Sequence, residues 1–222
     1  IEVAIRPSPP LPIIRTMINR LGRERSPFKI HLPPDDGDPG AMEIVGLSSF
    51  APASDPKGAV QLPAYLPKLR IRVAGRGADF LAFSKIVATC RHDLVLQSTD
   101  AAILDQIPVS KRISRQLLTT PRHLPANEDD AWTAFALLFH DADWEAPLLM
   151  DAFNGDAFYI GAVGSRRAHE ARLLALRNAG CSQEDMVRIH APIGLLHGMR
   201  DASSLAISTL AEIIQGFREA FP

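Results

Sequence analysis

The chain has 222 residues, a length that allows one large domain or two small ones. Hydrophobic residues make up 46% of it and charged residues 22%, an ordinary globular composition that excludes a wholly disordered chain. The net charge of -1 gives no positive field for general nucleic-acid binding, so we expect no nucleic-acid partner. Its apolar runs are far shorter than the roughly 20 residues that a membrane span needs, and we expect no membrane partner.

Proline is concentrated in the first part of the chain. Twelve of the 18 prolines lie in residues 1–67 and the other six in the remaining 155 residues. This change in composition predicts a domain boundary near Tyr65–Lys68. We therefore expect a small α+β domain over residues 1–67 and an α/β domain over residues 68–222.

The first domain contains four predicted elements and one predicted loop. Alternating residues predict a short strand over Ile1–Ile5, and apolar residues at helical spacing predict a helix over Leu11–Leu21. Phe28–Leu32 and Met42–Leu47 are predicted strands. The Pro- and Gly-rich stretch 33–40 between them is a predicted loop.

From Leu69 onward, strands and helices alternate. The predicted strands are Leu69–Ala74, Asp93–Gln97, Ala131–Phe139 and Phe158–Val163. The predicted helices are Ala78–Thr89, one capped by Asp143 with Pro147 in its first turn, Ser165–Ala179 ended by Gly180, and one from Asp201 to about Glu219. This alternation implies a parallel sheet with right-handed crossovers, and hence a Rossmann-like domain. Residues 101–130 give no clear pattern.

The two cysteines predict no metal site. Cys90 and Cys181 are 91 residues apart and form neither a CxxC pair nor a zinc-binding spacing. We interpret them as small core or helix-end residues in a reducing compartment, and expect a cytoplasmic protein. Because the chain begins at Ile1 rather than Met, we also expect that a further segment precedes it.

In a Rossmann-like sheet, ligands bind beyond the carboxyl ends of the strands. Gly75 and Gly77 follow the first strand and correspond to the first two glycines of the dinucleotide fingerprint. Phe80 replaces the third glycine, and Ser98 and Thr99 stand where an acidic residue would close the second strand. This segment is a candidate NAD(P) site or a tight structural turn.

A second candidate lies after the strand that ends at Phe139. His140 and Asp141 follow this strand directly, which places them well for ligand contact. Alternatively, His140 hydrogen-bonds a loop and Asp141 begins the following helix.

The third candidate has the most features of an anion site. Gly161 and Gly164 let the backbone approach a ligand closely. Ser165 can cap the following helix, whose first N–H groups bind anions, and Arg166 and Arg167 add charged, fork-shaped donors that suit a phosphate.

The alternative for this segment is a plain glycine turn before a solvated basic helix, since Arg172 and Arg177 continue the charge. Further along, Gly194 belongs to a turn-rich loop over residues 190–195 that either lines the same crevice or redirects the chain. Glu212 lies on a polar helix stripe, and we interpret it as structural.

Three segments together resemble a known family. Tyr159–Arg167, His190–Leu195 and Leu210–Ile214 resemble the C-terminal Rossmann domain of the XdhC/CoxI family, the xanthine dehydrogenase accessory proteins. The similarity runs over about Leu69–Ile214 and is strong from Trp132 onward.

The resemblance implies a molybdenum-cofactor chaperone rather than a dehydrogenase. Such a protein binds the cofactor, supports the replacement of its oxo ligand by sulfur, which a sulfurtransferase carries out, and delivers it to xanthine dehydrogenase or a related molybdenum hydroxylase. The resemblance also implies a homodimer. The phosphate of molybdopterin would suit the helix start at Gly164 and Ser165 with its two arginines.

The sequence departs from the family pattern at three places. Ala78 stands where the family has a histidine after its first glycine turn, and Ser98 and Thr99 stand where it has two aspartates. Ala142 replaces the second histidine of the family's Thr-His-Asp-His. Two further interpretations therefore stay open, an NAD(P)-dependent oxidoreductase and a ligand-free scaffold paralogue.

Overall fold

The structure is a computed structural model, and it describes residues 9–32, 42–47, 60–61 and 63–222. The chain divides into two compact units, the first up to Lys68 together with Pro222 and the second from Leu69 to Phe221. The strand predicted over residues 1–5 and the loop predicted over residues 33–40 lie outside the described residues.

The described part of the first unit has one helix and three strands. They are α1 (Leu11–Gly22), β1 (Phe28–Leu32), β2 (Glu43–Gly46) and β3 (Val60–Gln61). The strands form an antiparallel sheet in the order β2-β1-β3. Phe28, Ile30 and Leu32 alternate along β1 into a small core, and Met17 and Leu21 of α1 pack against it. The predicted helix and the two predicted strands in this region are confirmed.

The second unit alternates strands and helices. They are β4 (Arg70–Gly75), α2 (Gly77–Thr89), β5 (Asp93–Ser98), α3 (Ala101–Asp105), β6 (Ile113–Leu117), β7 (Thr133–Leu138), α4 (Ala142–Phe153), β8 (Tyr159–Ala162), α5 (Arg166–Asn178), α6 (Gln183–Val187), β9 (Ile189–His190) and α7 (Ala202–Ala220). All six strands form one parallel sheet in the order β6-β5-β4-β7-β8-β9. The predicted α/β, Rossmann-like fold is confirmed, with the switch point between β4 and β7.

Both faces of the sheet centre are covered, so β7 is buried at all six of its positions. Ala134, Ala136 and Leu138 belong to the core cluster that α2 and α7 also supply, whereas Phe135 and Leu137 belong to the cluster that α4 and α5 supply. This two-sided burial explains why the strand is a continuous apolar run in the sequence. None of the helices in the described part of the chain is long and apolar enough to cross a membrane.

The predicted cap of α4 at Asp143 is wrong by two residues, and the alternative in which Asp141 begins the helix is confirmed. The carboxylate of Asp141, not that of Asp143, caps this helix, and it accepts the backbone N–H of Asp143 at 3.1 Å. Pro147 therefore lies inside the helix rather than in its first turn. The sequence offers two aspartates as caps, and the strand end at Leu138 leaves room for the helix to begin at Ala142.

Candidate ligand-binding site

Two cavities flank the turn between β8 and α5, at the carboxyl ends of the strands. The first, which we name the loop cavity, has a volume of about 320 Å³ and is lined by Asp79, His140, Val163, Gly164, Ser165, residues 192–193 and 196–201, and Leu205. The second, the helix cavity, measures about 300 Å³ and lies between α4 and α5. His140, Val163 and Gly164 line both cavities, so the Gly164 turn separates them.

The start of α5 has the features of an anion site. Gly164 has a φ of +129°, and a Cβ there would lie 3.1 Å from the Cβ of Ala168, so a side chain is disfavoured at this position. The hydroxyl of Ser165 accepts the backbone N–H of Ala168 at 3.2 Å and caps the helix. The first N–H groups of the helix have no partner within it and lie at its positive end. The loop cavity therefore borders a helix start that can bind an anion.

The three arginines of this region differ in environment. Arg166 and Arg167 are exposed, and neither lines the two cavities. Arg172 is buried, with its Nε donating to Glu145 at 2.8 Å and its Nη2 to the carbonyl of Val163 at 2.6 Å. The interpretation of a solvated basic helix is therefore wrong for Arg172. Its buried guanidinium instead stabilises the turn after β8 through the carbonyl of Val163.

His140 and Asp141 follow β7, as predicted, and have different environments. The Nε2 of His140 lies 3.5 Å from the carboxylate of Asp79, and 61% of the histidine side chain is exposed at the rim of both cavities. Asp141 caps α4 and accepts the Nη2 of Arg76 at 3.2 Å. His140 is thus open to a ligand, whereas Asp141 is engaged in the fold.

Gly75 and Gly77 form a tight turn that lines neither cavity. A Cβ on Gly75 would lie 2.8 Å from the Cβ of Leu138, so glycine here permits the close approach of β4 and β7. Gly77 has a φ of +77°, which favours glycine. Phe80 is completely buried in the core against the sheet. The close packing at Gly75 and the positive φ of Gly77 account for both glycines through the fold itself.

Gly161 has a different role from the predicted close approach to a ligand. A Cβ at this position would lie 2.5 Å from the Oη of Tyr159 and 2.7 Å from the Cδ1 of Ile193. The space beside Gly161 is therefore filled by protein side chains. The glycine is needed because the ring of Tyr159 lies over it on the same face of β8.

Glu212 connects α7 to β8 and to the loop after β9. One carboxylate oxygen accepts the Oη of Tyr159 at 2.6 Å and the backbone N–H of Gly194 at 2.6 Å. Burial, followed by the charge and the hydrogen bond of Glu212, raises the pKa of Tyr159, so the phenol remains a donor. The ring of His190 stacks on Tyr159 at 4.7 Å, with its Nδ1 3.9 Å from the other oxygen of Glu212.

Comparison with known proteins establishes the family. The model of the XdhC Rossmann domain matches residues 71–213. The chain belongs to the XdhC family. It is 31% identical over 197 residues to the molybdenum cofactor insertion chaperone PaoD of Escherichia coli (strain K12), and the match covers 89% of this chain and 53% of PaoD. The uncharacterized protein YqeB of the same organism is 40% identical over 57 residues, 26% of this chain and 10% of YqeB.

The fold of this XdhC domain is also found in a solved structure. A crystal structure of a protein named as a xanthine dehydrogenase from Bacillus halodurans superposes with a TM-score of 0.64 and 17% identity. The match covers 94% of this chain and 64% of that protein. At this identity the likeness concerns the fold alone. This XdhC chain spans about half the length of PaoD.

The loop cavity of this XdhC domain includes residues that the sequence analysis missed. They are Asp79, His197, Met199 and Arg200. Asp201, which the sequence predicts only as the start of a helix, also lines this cavity. The segment 196–201 has little regular structure, and no local pattern marks it as part of a site. Only its place between the confirmed turn-rich loop and the cap of α7 could have drawn attention to it.

A third, polar cavity lies elsewhere in the XdhC domain. It measures about 370 Å³ and covers β4, β5 and β6, where the connection from β6 to β7 contains no helix. At this cavity, Arg72 donates to Asp129 and Gln97, and Gln97 donates to Gln116. No residue predicted as a site residue lines it. The candidate site is therefore the pair of cavities beside Gly164.

Proposed function

We propose that this protein binds the molybdenum cofactor beside the Gly164 turn and acts as a chaperone for its insertion into a molybdenum hydroxylase. The observation that carries the proposal is the capped, glycine-led start of α5, which borders the loop cavity at the carboxyl edge of the sheet. Membership of the XdhC family and the likeness to PaoD, a molybdenum cofactor insertion chaperone by name, support the same role.

The residues at the turn fit the phosphate of molybdopterin. The unpaired N–H groups at the start of α5 would hold it, and the absence of a side chain at Gly164 leaves the backbone accessible. Arg166 and Arg167 are exposed beside this helix start, so their side chains are free to reach a phosphate in solution. The free N–H groups, the glycine and the two arginines together suit a phosphate better than a neutral ligand.

The loop cavity supplies further donors for the rest of the cofactor. His140, His197 and Arg200 line it and can donate to the ring carbonyl or to the oxygen ligands of the metal. The carboxylate of Asp79 lies 3.5 Å from the Nε2 of His140 and lines the same cavity, so it can orient this ring.

The site also suits a protein that must release its cargo. His140 and Leu196 are each 61% exposed, so a ligand in the loop cavity stays accessible to a second protein. We extend the proposal to the partners that the family implies. These are xanthine dehydrogenase or a related hydroxylase as acceptor, a sulfurtransferase that modifies the bound cofactor, and a second copy in a homodimer, all in the cytoplasm.

A transfer assay tests the proposal. The protein is loaded with molybdenum cofactor and mixed with an apo-hydroxylase, and the recovered hydroxylase activity is compared with that obtained from free cofactor. We expect the wild type to increase the recovered activity. No increase over free cofactor would contradict the chaperone role.

Two variants locate the binding site in a direct titration with the cofactor. Arg166→Ala combined with Arg167→Ala removes both charges at the helix start, and Arg177→Ala removes an exposed charge at the other end of α5. An exposed charge contact contributes up to about 1 kcal/mol, so the double variant should bind the cofactor roughly tenfold more weakly. Arg177→Ala should match the wild type, and equal affinity of all three proteins would remove the helix start from the site.

A further inference from the structure

One wall of the loop cavity is formed by the segment that follows β9. Pro192, Ile193 and Leu196 line the cavity from this side. Ile193 is buried in the core, and its backbone N–H donates to the carbonyl of Ala162 at 3.1 Å. Beyond Ile193 the segment leaves the sheet, so other contacts must determine where this wall lies.

Glu212 provides the first of these contacts. Its Oε2 accepts the N–H of Gly194 and the hydroxyl of Tyr159, each at 2.6 Å. A carboxylate oxygen has lone pairs for both donors, and hydrogen bonds to an ionised acceptor are shorter and stronger than neutral ones. Only 20% of the Glu212 side chain is exposed, so water competes little for these bonds.

Ser208, one turn earlier on the same face of α7, provides the second contact. Its hydroxyl accepts the N–H of Leu196 at 2.7 Å, and its carbonyl accepts the N–H of Leu195 at 3.2 Å. Gly194 has a φ of +107°, and a Cβ there would lie 2.9 Å from the Oγ of Ser208. Glycine at this position therefore allows the segment to approach α7 closely.

We propose that Glu212 is a positioning residue for the candidate site. Glu212 does not line the loop cavity itself. It acts through Gly194, whose N–H it holds, and fixes the wall formed by Pro192 and Leu196. The identity of the ligand rests on the function proposed above, whereas the position of the wall rests on the contacts of Glu212 and Ser208, which involve no ligand.

The test compares Glu212→Ala with a matched control, Thr209→Val. Thr209 is a buried residue of the same helix, and its hydroxyl has no hydrogen-bond partner within the part of the chain that the structure describes. Hydrogen exchange of the Gly194 and Leu196 amides reports the wall, and exchange of the β7 amides reports global opening. We expect Glu212→Ala to accelerate exchange at Gly194 at least tenfold relative to β7. Thr209→Val should leave this ratio unchanged.

The conservative variant keeps the test informative if Glu212→Ala does not fold. Glu212→Gln retains one acceptor oxygen but loses the charge, so exchange at Gly194 should fall between those of the wild type and the alanine variant. Two outcomes would overturn the proposal. In the first, exchange at Gly194 is unchanged in both Glu212→Gln and Glu212→Ala. In the second, exchange at Gly194 rises only together with exchange of the β7 amides.

Titration with molybdenum cofactor completes the experiment. We expect affinity at least tenfold lower in Glu212→Ala, with affinity near the wild-type value in Thr209→Val and partial recovery in Glu212→Gln. If the alanine variant binds as tightly as the wild type although its Gly194 amide exchanges faster, Glu212 does not position the site. If the wild type binds no cofactor but Gly194 exchange depends on Glu212, the proposed function fails and the positioning role stands.

Discussion

Replacement of Gly161 by alanine distinguishes two explanations for glycine at this position, the close approach of a ligand and the packing of Tyr159 against the strand. If Gly161 were kept free of a side chain for a ligand, a methyl group would weaken binding and leave the fold intact. In the structure the methyl group would instead meet the Oη of Tyr159 at 2.5 Å and the Cδ1 of Ile193 at 2.7 Å. Both distances are too short for real Cβ contacts, so the ring or the strand must move.

The expected cost follows from two contributions. Overpacking a well-packed core costs about 1–3 kcal/mol. Displacement of the Tyr159 ring also breaks its hydrogen bond to the Glu212 carboxylate, and a bond to a charged group contributes about 1.5–3 kcal/mol. Together they give a loss of about 2.5–6 kcal/mol, which for a chain of this size lowers the Tm by roughly 5–25 °C.

Gly216→Ala is the matched control, because Gly216 lies on α7 near the same aromatic residues. A Cβ there would lie 3.7 Å from the Phe158 ring and 4.0 Å from that of Tyr159, which is ordinary van der Waals contact. Alanine in a helix interior stabilises by about 0.5–1 kcal/mol relative to glycine. We expect thermal unfolding to show a lower Tm for Gly161→Ala and a slightly higher one for Gly216→Ala. An unchanged Tm for Gly161→Ala would refute the packing explanation.

Three further changes have defined outcomes. Ser165→Ala removes the cap of α5 and should lower the free energy of unfolding by about 1 kcal/mol, measured by urea denaturation. Hydrogen bonds from Ser204, the side chain first and then the backbone, hold the pKa of Asp201 below its ordinary value of 3.8. This carboxylate therefore adds stability above about pH 4 that is lost as the pH falls through the lower folded-state pKa. The difference between wild type and Asp201→Asn in the urea midpoint should accordingly shrink below pH 4, and a constant difference would argue against the shifted pKa. Asp129→Ala removes the closest partner of the buried Arg72 and leaves it paired with Asp151 at 2.9 Å, so unfolding experiments should show a loss of about 1.5–3 kcal/mol.

The sequence predicts most of the second unit because its signals are local. The parallel strands β4, β5, β7 and β8 each lie within two residues of their predicted bounds, and β7 is the most continuous apolar run among them. Ser165 caps α5 as predicted, and Asp201, the predicted start of the last helix, caps α7, since a capping side chain bonds only the next turn. The elements α3, β6, α6 and β9 have five residues or fewer, too few for a recognisable period.

Only part of the site can be predicted from the sequence, because some of its contacts join residues that are distant in the chain. The start of α5 depends on neighbours in the chain, and Gly164 and Ser165 lie where predicted. The contact between Glu212 and Gly194 spans 18 residues and depends on the packing of α7 against the sheet. The role of Gly161 depends on the direction of the Tyr159 ring, which no spacing encodes. Tertiary packing, not local pattern, determines these contacts.

The most direct test of the central claim is a binding titration of the purified protein with molybdenum cofactor, with NADH as the parallel ligand. We expect micromolar or tighter binding of the cofactor, weakened by the Arg166→Ala and Arg167→Ala pair, and no binding of NADH. Binding of NADH alone would contradict the account and favour an oxidoreductase. Binding of neither ligand would also contradict it, and would favour a scaffold that acts through protein contacts.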